Sequence, residues 1–480
     1  MAKGSVFAII LIAGTLTTPF TGFTAEPDSN LIKRTSRPPN YETPIDRLQT
    51  PGTNVTQNKD LFVRNHLANI PKIILKDWTL KIDGDAIEAP LTFTYGALKK
   101  NFKPVELTAL LYCSGNGRGL FQPPVAGVQW KYGGMGNVHW RGIRLKDLLA
   151  KAGLKKNAVE IEFNGADGPV FPKTPDFVKS LPIEKALDDN TLIAFEMNGK
   201  PLPQNHGFPA RLIVPGWTAT YWVKQLTSIR ALSKPSESYW VAKVYRVTKG
   251  KFSAETPWKS QETETSTPIT ELAVNSVITN PTENRHIKQN SKVTIHGLAW
   301  DAGHGLAKVE ISVDNGKTWN SVHLNQDKER FSWHSFTYSF VPKTSGEWIL
   351  SSRATDKMGH TQPDQAVPSG AGYHYNAIQK MKIVVDGSSA PSNSPNRRSN
   401  GKSIGEPILV EAPGRDRVTA NCIMCHSLDY IEMNHFLGPD EWQKIVNKMI
   451  QNYGAPIQAA DVPVIVDYLT KWYGKKPAQQ

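Results

Sequence analysis

Five residues near the C-terminal end, Cys422-Ile-Met-Cys425-His426, carry the most specific chemistry in the chain. Two thiols at this spacing can each close a thioether bond to a porphyrin, and the histidine that follows is placed to bind its iron. Cys-x-x-Cys-His is the attachment pattern of a c-type haem. The motif predicts one covalently attached haem c, with Cys422 and Cys425 as its links and His426 as an axial ligand of the haem iron. A second ligand must come from elsewhere. Met424 lies inside the attachment loop and Met433 follows His426 too closely, whereas Met449 leaves room for a helix and a return loop. Met449 is therefore the expected second iron ligand, with His435 as the alternative. The third thiol, Cys113, closes an apolar run and opens Ser-Gly-Asn-Gly-Arg118-Gly, where glycines let backbone amides approach a bulky anion. With the other two cysteines committed, Cys113 has no partner for an internal disulfide, and a ligand role would protect it from oxidation.

The elements that must position these groups follow from length and pattern. A chain of 480 residues exceeds one ordinary core. Residues 1–25 begin with Lys3, continue through an apolar run at 6–16 and exit through polar residues to Ala25, the layout of a signal peptide. Export agrees with covalent haem attachment on the oxidising side of a bacterial membrane, so the expected location is the periplasm, with no membrane span after signal removal. Residues 26–58 are polar and proline-rich and read as an extended arm. Residues 59–255 mix short strand runs (78–82, 160–163, 192–195, 211–214) with short helices such as 145–152, an α+β domain. Residues 266–386 alternate, with strands expected at 274–278, 292–299, 307–312, 331–340, 346–354 and 380–385, an immunoglobulin-like β-sandwich. Residues 387–405 have the Ser, Pro and Asn content of a flexible linker. Residues 406–480 read as a small all-α domain. Its helices are expected at 440–453, capped by Asp440, and at 459–473, with Val462, Ile465, Val466 and Leu469 on the apolar face.

Charge divides along the same lines. The formal net charge is +13, yet residues 406–480 carry 7 Lys+Arg against 9 Asp+Glu. The basic surplus upstream attracts anions and favours docking of the acidic tail. Nucleic acid is excluded as a partner by the export signal and by the dispersal of the basic residues.

Three blocks now gain weight together: Phe62-Val63-Arg64-Asn65-His66, the Cys113 loop, and the long run from Glu196 through His206 and Arg211 to Gly216. Over residues 60–385 they resemble the sulfite oxidase family of molybdopterin enzymes. The resemblance implies Mo-molybdopterin as a cofactor, with Cys113 as the protein ligand of molybdenum. It places Phe62 to His66 along the pterin, with Arg64 at the oxyanion site. Asp167, His206, Arg211, Trp222, Val223 and Lys224 fall at cofactor-binding positions, and Tyr245 falls at that of the catalytic tyrosine, with Tyr239 as the fallback. Arg118 adds positive potential behind the cysteine. The sandwich matches the family's dimerisation domain, which implies a homodimer. The C-terminal segment resembles the small cytochrome subunit of bacterial sulfite dehydrogenases, through His426-Ser-Leu-Asp-Tyr430 and Lys448-Met449, here fused as a cytochrome c domain.

Two departures bear on chemistry. No twin arginine precedes the apolar run. Where several family members carry an arginine, the stretch Ala371-Gly-Tyr-His374-Tyr375 offers His374 as a cation that would be lost as pH rises. The resulting expectation is a sulfite dehydrogenase passing electrons through its own haem to an external cytochrome c. The alternatives are a sulfane-sulfur dehydrogenase and a reductase of oxidised sulfur or nitrogen compounds.

Overall fold

The computed structural model describes residues 30–252, 256, 258–324, 329–387 and 407–475. The expected signal peptide and nearly all of the 387–405 linker lie outside them. Among the described residues no helix is long and apolar enough to cross a membrane.

Two sheets, one antiparallel and one mixed, form the first large unit. In one, the strands Val105–Tyr112, Met135–Arg144 and Leu192–Met197 pair antiparallel in that order. In the other, Thr79–Asp83, Leu226–Leu232 and Glu160–Gly165 are adjacent, the first two running parallel. Their inward faces share one core that includes Leu80, Ile82, Val138, Trp140, Ile161, Phe163, Ile193 and Ile229. These residues alternate with exposed positions such as Thr79 and Lys81, as a sheet with one solvated face requires. The Val105–Tyr112 strand ends at the loop that carries Cys113, and Arg211 opens the short strand Arg211–Ile213 beside Leu192–Met197.

The second unit is a sandwich. The strands Asn275–Asn280, Val293–Trp300 and His334–Phe340 form one sheet. The other has the order His286–Lys288, Met381–Asp386, Gly346–Asp356, Leu306–Ser312, Asn320–Ser321. Between them lie Ile278, Ile295, Val309, Ile311, Phe336, Leu350 and Ile383.

The C-terminal unit contains the helices Arg415–Cys422, Asp429–Glu432, Pro439–Gln451 and Asp461–Tyr473 around a small core of Val418, Trp442, Val446, Ile465, Tyr468 and Leu469. The expected face of the last helix points inward. The expected Asp440 cap is two residues late: the long helix starts after Gly438, with Pro439 in its first turn, and the Glu441 carboxylate accepts the Gly438 N–H. Proline fits there because a first-turn N–H has no helical partner.

Residues 30–58 correct the expectation of an extended arm. Ile32–Thr35 and Asn40–Glu42 form a hairpin, and Thr35, Asn40, Glu42 and Leu48 are fully or almost fully buried. Glu42 explains why so polar a segment packs: its carboxylate takes the Lys131 and Gly133 amides at 3.0 and 2.8 Å and pairs with Arg34. Composition alone misses this because the apolar content is low, and the packing rests on satisfied polar groups instead.

Candidate active site and the docked C-terminal unit

The Val105–Tyr112 strand delivers Cys113 into a tight loop. The Cys113 carbonyl accepts the Asn116 amide at 2.9 Å, and Asn116 Oδ1 takes the Gly134 amide at 2.8 Å, which pins the loop to the neighbouring strand. Gly117 has φ +82, and a Cβ there would lie 2.6 Å from Tyr375, so both backbone and space require glycine. The thiol is free and partly buried.

One pocket gathers residues from far apart in the chain. Phe62, Arg64, Asn65, His66, Cys113, Asp167, His206, Arg211, Trp222, Val223, Lys224 and Tyr245 all line it. Val63 is the exception among the expected site residues: it is buried and its backbone pairs with Tyr41. Ser114, Phe177, Asn205 and Thr220 also line the pocket and escaped the sequence reading. Ser114 and Asn205 adjoin the expected Cys113 and His206, while nothing local marks Phe177, which stacks on His66 at 3.9 Å between ring centroids.

Cations dominate the electrostatics. Arg211 donates to the His206 and Trp222 carbonyls at 2.9 and 3.1 Å, and burial lowers its pKa to about 9. Burial, followed by Arg211, lowers Lys224 to about 7, while Asp167 opposes the shift. Asp167 itself is raised by burial to about 6. For Arg64, burial opposes the charge, yet Tyr430, Tyr245 and Cys113 together raise its pKa. His206 is lowered by burial, Lys224 and Arg211 to about 3. His66 is pushed well below the usual imidazole range by burial and then by Arg64, Lys179, Lys224 and Arg118. Arg211 and Lys224, depressed by desolvation, mark a cavity shaped for an anion, which would restore their charge.

Tyr245 is held from several sides. Its hydroxyl meets His66 Nε2, its ring stacks on Tyr373 at 5.3 Å and 13°, and Lys179 Nζ lies 5.0 Å from its centroid. Its φ is +58, a left-handed conformation that a tyrosine adopts only under such constraint. Since Arg64 donates toward the phenol oxygen, the hydroxyl proton points to His66, consistent with a neutral imidazole. The fallback, Tyr239, packs instead against Trp240 and Tyr453.

His374 does not supply the cation expected of it. It is buried, does not line the pocket, faces Phe252 at 5.1 Å, and burial lowers its pKa to about 4. The stretch contributes Tyr373, and beside it Arg118, whose guanidinium lies 5.6 Å from the Tyr373 ring and whose Nε donates to the Ala371 carbonyl at 3.0 Å. Arg118 contributes to the lowering of His66 but does not line the pocket, and its Nη1 donates to the Val128 carbonyl at 3.2 Å.

The residues present fit a thiol-ligated metal on a phosphate-bearing organic cofactor. Ser114 Oγ, Thr220 Oγ1 and Arg211 Nε are buried without a partner and open onto or border the cavity. Such orphaned groups cost stability unless a ligand satisfies them. Arg211, Lys224 and Thr220 would hold the phosphate, Asp167 and His206 the polar heterocycle, and Cys113 the metal.

The C-terminal unit sits against this domain. Ser427 N donates to the Arg37 carbonyl at 2.6 Å, and Asp429 accepts Ser36 N at 2.8 Å and pairs with Lys33 at 3.7 Å. Farther along, Gly127 N donates to Asn434 Oδ1 at 2.9 Å and Thr174 Oγ1 to the Tyr453 carbonyl at 2.7 Å. Gly454, at φ +71, lets the backbone pass where a Cβ would meet Lys173 at 2.7 Å. Tyr430 packs on the core of the large domain, and its ring lies 4.6 Å from that of His426.

The motif residues fit a covalently held haem. Cys422 closes the first helix of the unit, Cys425 lies in the turn that follows, and His426 Nδ1 faces the Ser427 carbonyl at 3.1 Å. A carbonyl can only accept, so Nδ1 carries the proton and Nε2 is the lone-pair nitrogen suited to iron. Met449 lies partly buried in the last turn of the Pro439–Gln451 helix, with its carbonyl accepting the Ala455 amide. His435 is exposed, its Nδ1 on the Glu432 carbonyl.

Comparison with known proteins completes the picture. Residues 66–240 match the oxidoreductase molybdopterin binding domain, and residues 266–386 match the Mo-co oxidoreductase dimerisation domain. Mitochondrial sulfite oxidase of Macaca fascicularis is 33% identical over 363 residues, covering 73% of this chain and 65% of that protein. Sulfite oxidase of Gallus gallus is 30% identical over 326 residues, 65% of this chain and 69% of its own length. The chain thus spans just under two thirds of the primate relative. Among solved structures, the sulfane dehydrogenase SoxCD of Paracoccus pantotrophus superposes with a TM-score of 0.60 at 26% identity, over 80% of this chain and 96% of that one.

Proposed function

Because this chain belongs to the sulfite oxidase family of molybdopterin oxidoreductases, we propose that it is a sulfite dehydrogenase of the periplasm. It oxidises sulfite with water to sulfate, releasing two protons and two electrons, and passes the electrons singly through its own haem c to an external cytochrome c. The proposal includes secretion by residues 1–25 and a homodimer through the sandwich. One observation carries it: a lone thiol opens into a buried pocket whose charged lining is Arg64, Arg211, Lys224 and Asp167, with Arg118 adjacent.

Molybdenum on molybdopterin, when bound, supplies the two-electron couple and the oxygen transfer. The chain's own residues do the rest. Arg64 attracts the dianion and orients it, a task guanidinium performs through paired hydrogen bonds after desolvation, while Arg118 adds to the attraction. Tyr245 presents its phenol oxygen beside Arg64, while neutral His66 accepts the phenol hydrogen bond on Nε2 and so fixes the direction of the hydroxyl. Phe62, Phe177 and Trp222 exclude bulk water, which strengthens each charge contact.

Metal analysis of the intact protein, with anaerobic addition of sulfite while the haem spectrum is followed, tests the reading. Stoichiometric molybdenum and haem with rapid haem reduction support it. A haem that extracts into acid-acetone, or no reduction by sulfite, defeats it. A second reading, sulfane-sulfur oxidation, is favoured by the fold likeness to SoxCD. Steady-state rates with sulfite and with a sulfane donor on one preparation separate the two.

A further inference from the structure

The N-terminal hairpin places a fully buried amide against the pocket's cations. Asn40 Oδ1 accepts from Arg64 Nη1 at 3.1 Å and from the Asn65 amide at 3.0 Å. Its Nδ2 donates to Thr35 Oγ1 at 2.6 Å and to the Pro38 carbonyl at 3.0 Å, so every polar atom of the side chain is used and its orientation is fixed. The preceding residue joins in, because the Pro39 carbonyl accepts Asn65 Nδ2 at 2.8 Å. That bond turns Asn65 Oδ1 toward Lys224 Nζ, its donor. The hairpin therefore seats one pocket cation directly and a second through Asn65.

We propose that Asn40 is a positioning residue for substrate oxyanion binding: it sets the direction of the Arg64 guanidinium, and with Pro39 it also orients, through Asn65, the Lys224 ammonium that would hold the cofactor phosphate. The role rests on the reading of the pocket as an oxyanion site. A neutral amide suits it. Its carbonyl oxygen aligns the guanidinium without neutralising it, whereas a carboxylate would cancel the charge that the substrate needs and set an acceptor against the Pro38 carbonyl.

The two possible replacements give opposite signatures. In holoenzyme carrying Asn40→Ala, Arg64 Nη1 keeps the Asn65 carbonyl but loses its side-chain acceptor; the sulfite KM rises about tenfold while kcat stays within about twofold, as removal of an alignment bond to a charged group predicts. In Asn40→Asp the anion affinity falls further at neutral pH and recovers as the carboxyl protonates. Two readouts apart from turnover decide the matter. Sulfate binding by calorimetry ranks wild type above Asn40→Ala above Asn40→Asp. Phenylglyoxal labelling of Arg64, followed by peptide mass spectrometry, speeds up several-fold in Asn40→Ala and slows in Asn40→Asp. Unchanged Arg64 labelling in both variants, with only a lower melting temperature, overturns the proposal. Wild type that binds no sulfate defeats the oxyanion reading instead, and the labelling still judges Asn40.

Discussion

Cys113 and the Cys422–Cys425 pair present the same functional group in opposed surroundings. Cys113 opens into the pocket beside Arg64, whose charge it helps to stabilise. Cys422 is pushed up to about 12 by burial and then by Cys425, and Cys425 is raised by burial against the pull of Arg37. A thiol among cations is suited to serve as an anionic ligand, whereas a thiol whose ionisation is suppressed is suited to be consumed in a neutral thioether. On the proposed function, the two regions would divide the redox work by how each treats charge.

The most severe test of this division is exchange of sulfur for oxygen in each place. Cys113→Ser should lower sulfite turnover by roughly a thousandfold, about 4 kcal/mol, while dithionite still reduces an intact haem; stopped-flow spectra check both. Cys422→Ser with Cys425→Ser should leave no covalent haem on a denaturing gel, yet molybdenum content should persist. Loss of molybdenum in that variant would show the regions to be interdependent. Next in size, Arg64→Ala should reduce kcat/KM for sulfite by about 10- to 100-fold, mostly through KM, as steady-state kinetics would read.

A pH titration of cofactor-free protein sharpens the contrast further. His206 and His374 are depressed to about 3 and 4, and His66 also lies well below its usual value, so the fold binds fewer protons than the unfolded chain below pH 6.5. Stability should therefore rise with pH through that window and be lost on acidification toward pH 4, at about 1.4 kcal/mol per unit per group. Asp167, raised to about 6 from 3.8, contributes the opposite sign over its own interval and offsets part of the slope. Urea midpoints from pH 7 to 4.5 give the net effect. The smallest expected change is in Asp429→Asn, which weakens the contact with Lys33 and Ser36 by about 1 kcal/mol and should speed hydrogen exchange at the Ser427 amide about fivefold.

Much of this was legible in the residues themselves. The sandwich strands and the apolar face of the last helix follow from periodicity, because burial imposes it locally. The pocket lining was legible as sequence blocks, since Arg64, Cys113, Arg211 and Lys224 sit in distinctive runs. What escaped was long-range pairing. Asn40 gains its meaning from Arg64, 24 residues on, and Phe177 from His66, 111 residues back. His374 was misjudged because, at φ +56, it lies against Phe252, while its neighbour Tyr373 stacks on Tyr245.

The hairpin at residues 32–42 touches a unit that lies almost four hundred residues later in the chain, through Lys33, Ser36 and Arg37. The polypeptide is in effect a ring closed without a covalent bond. A protease cut anywhere between 387 and 406 would then yield two fragments that travel together on a sizing column, held at the hairpin, Gly127 and Thr174. Removal of the hairpin as well should loosen the smaller fragment without freeing it, because Gly127 and Thr174 still hold Asn434 and Tyr453.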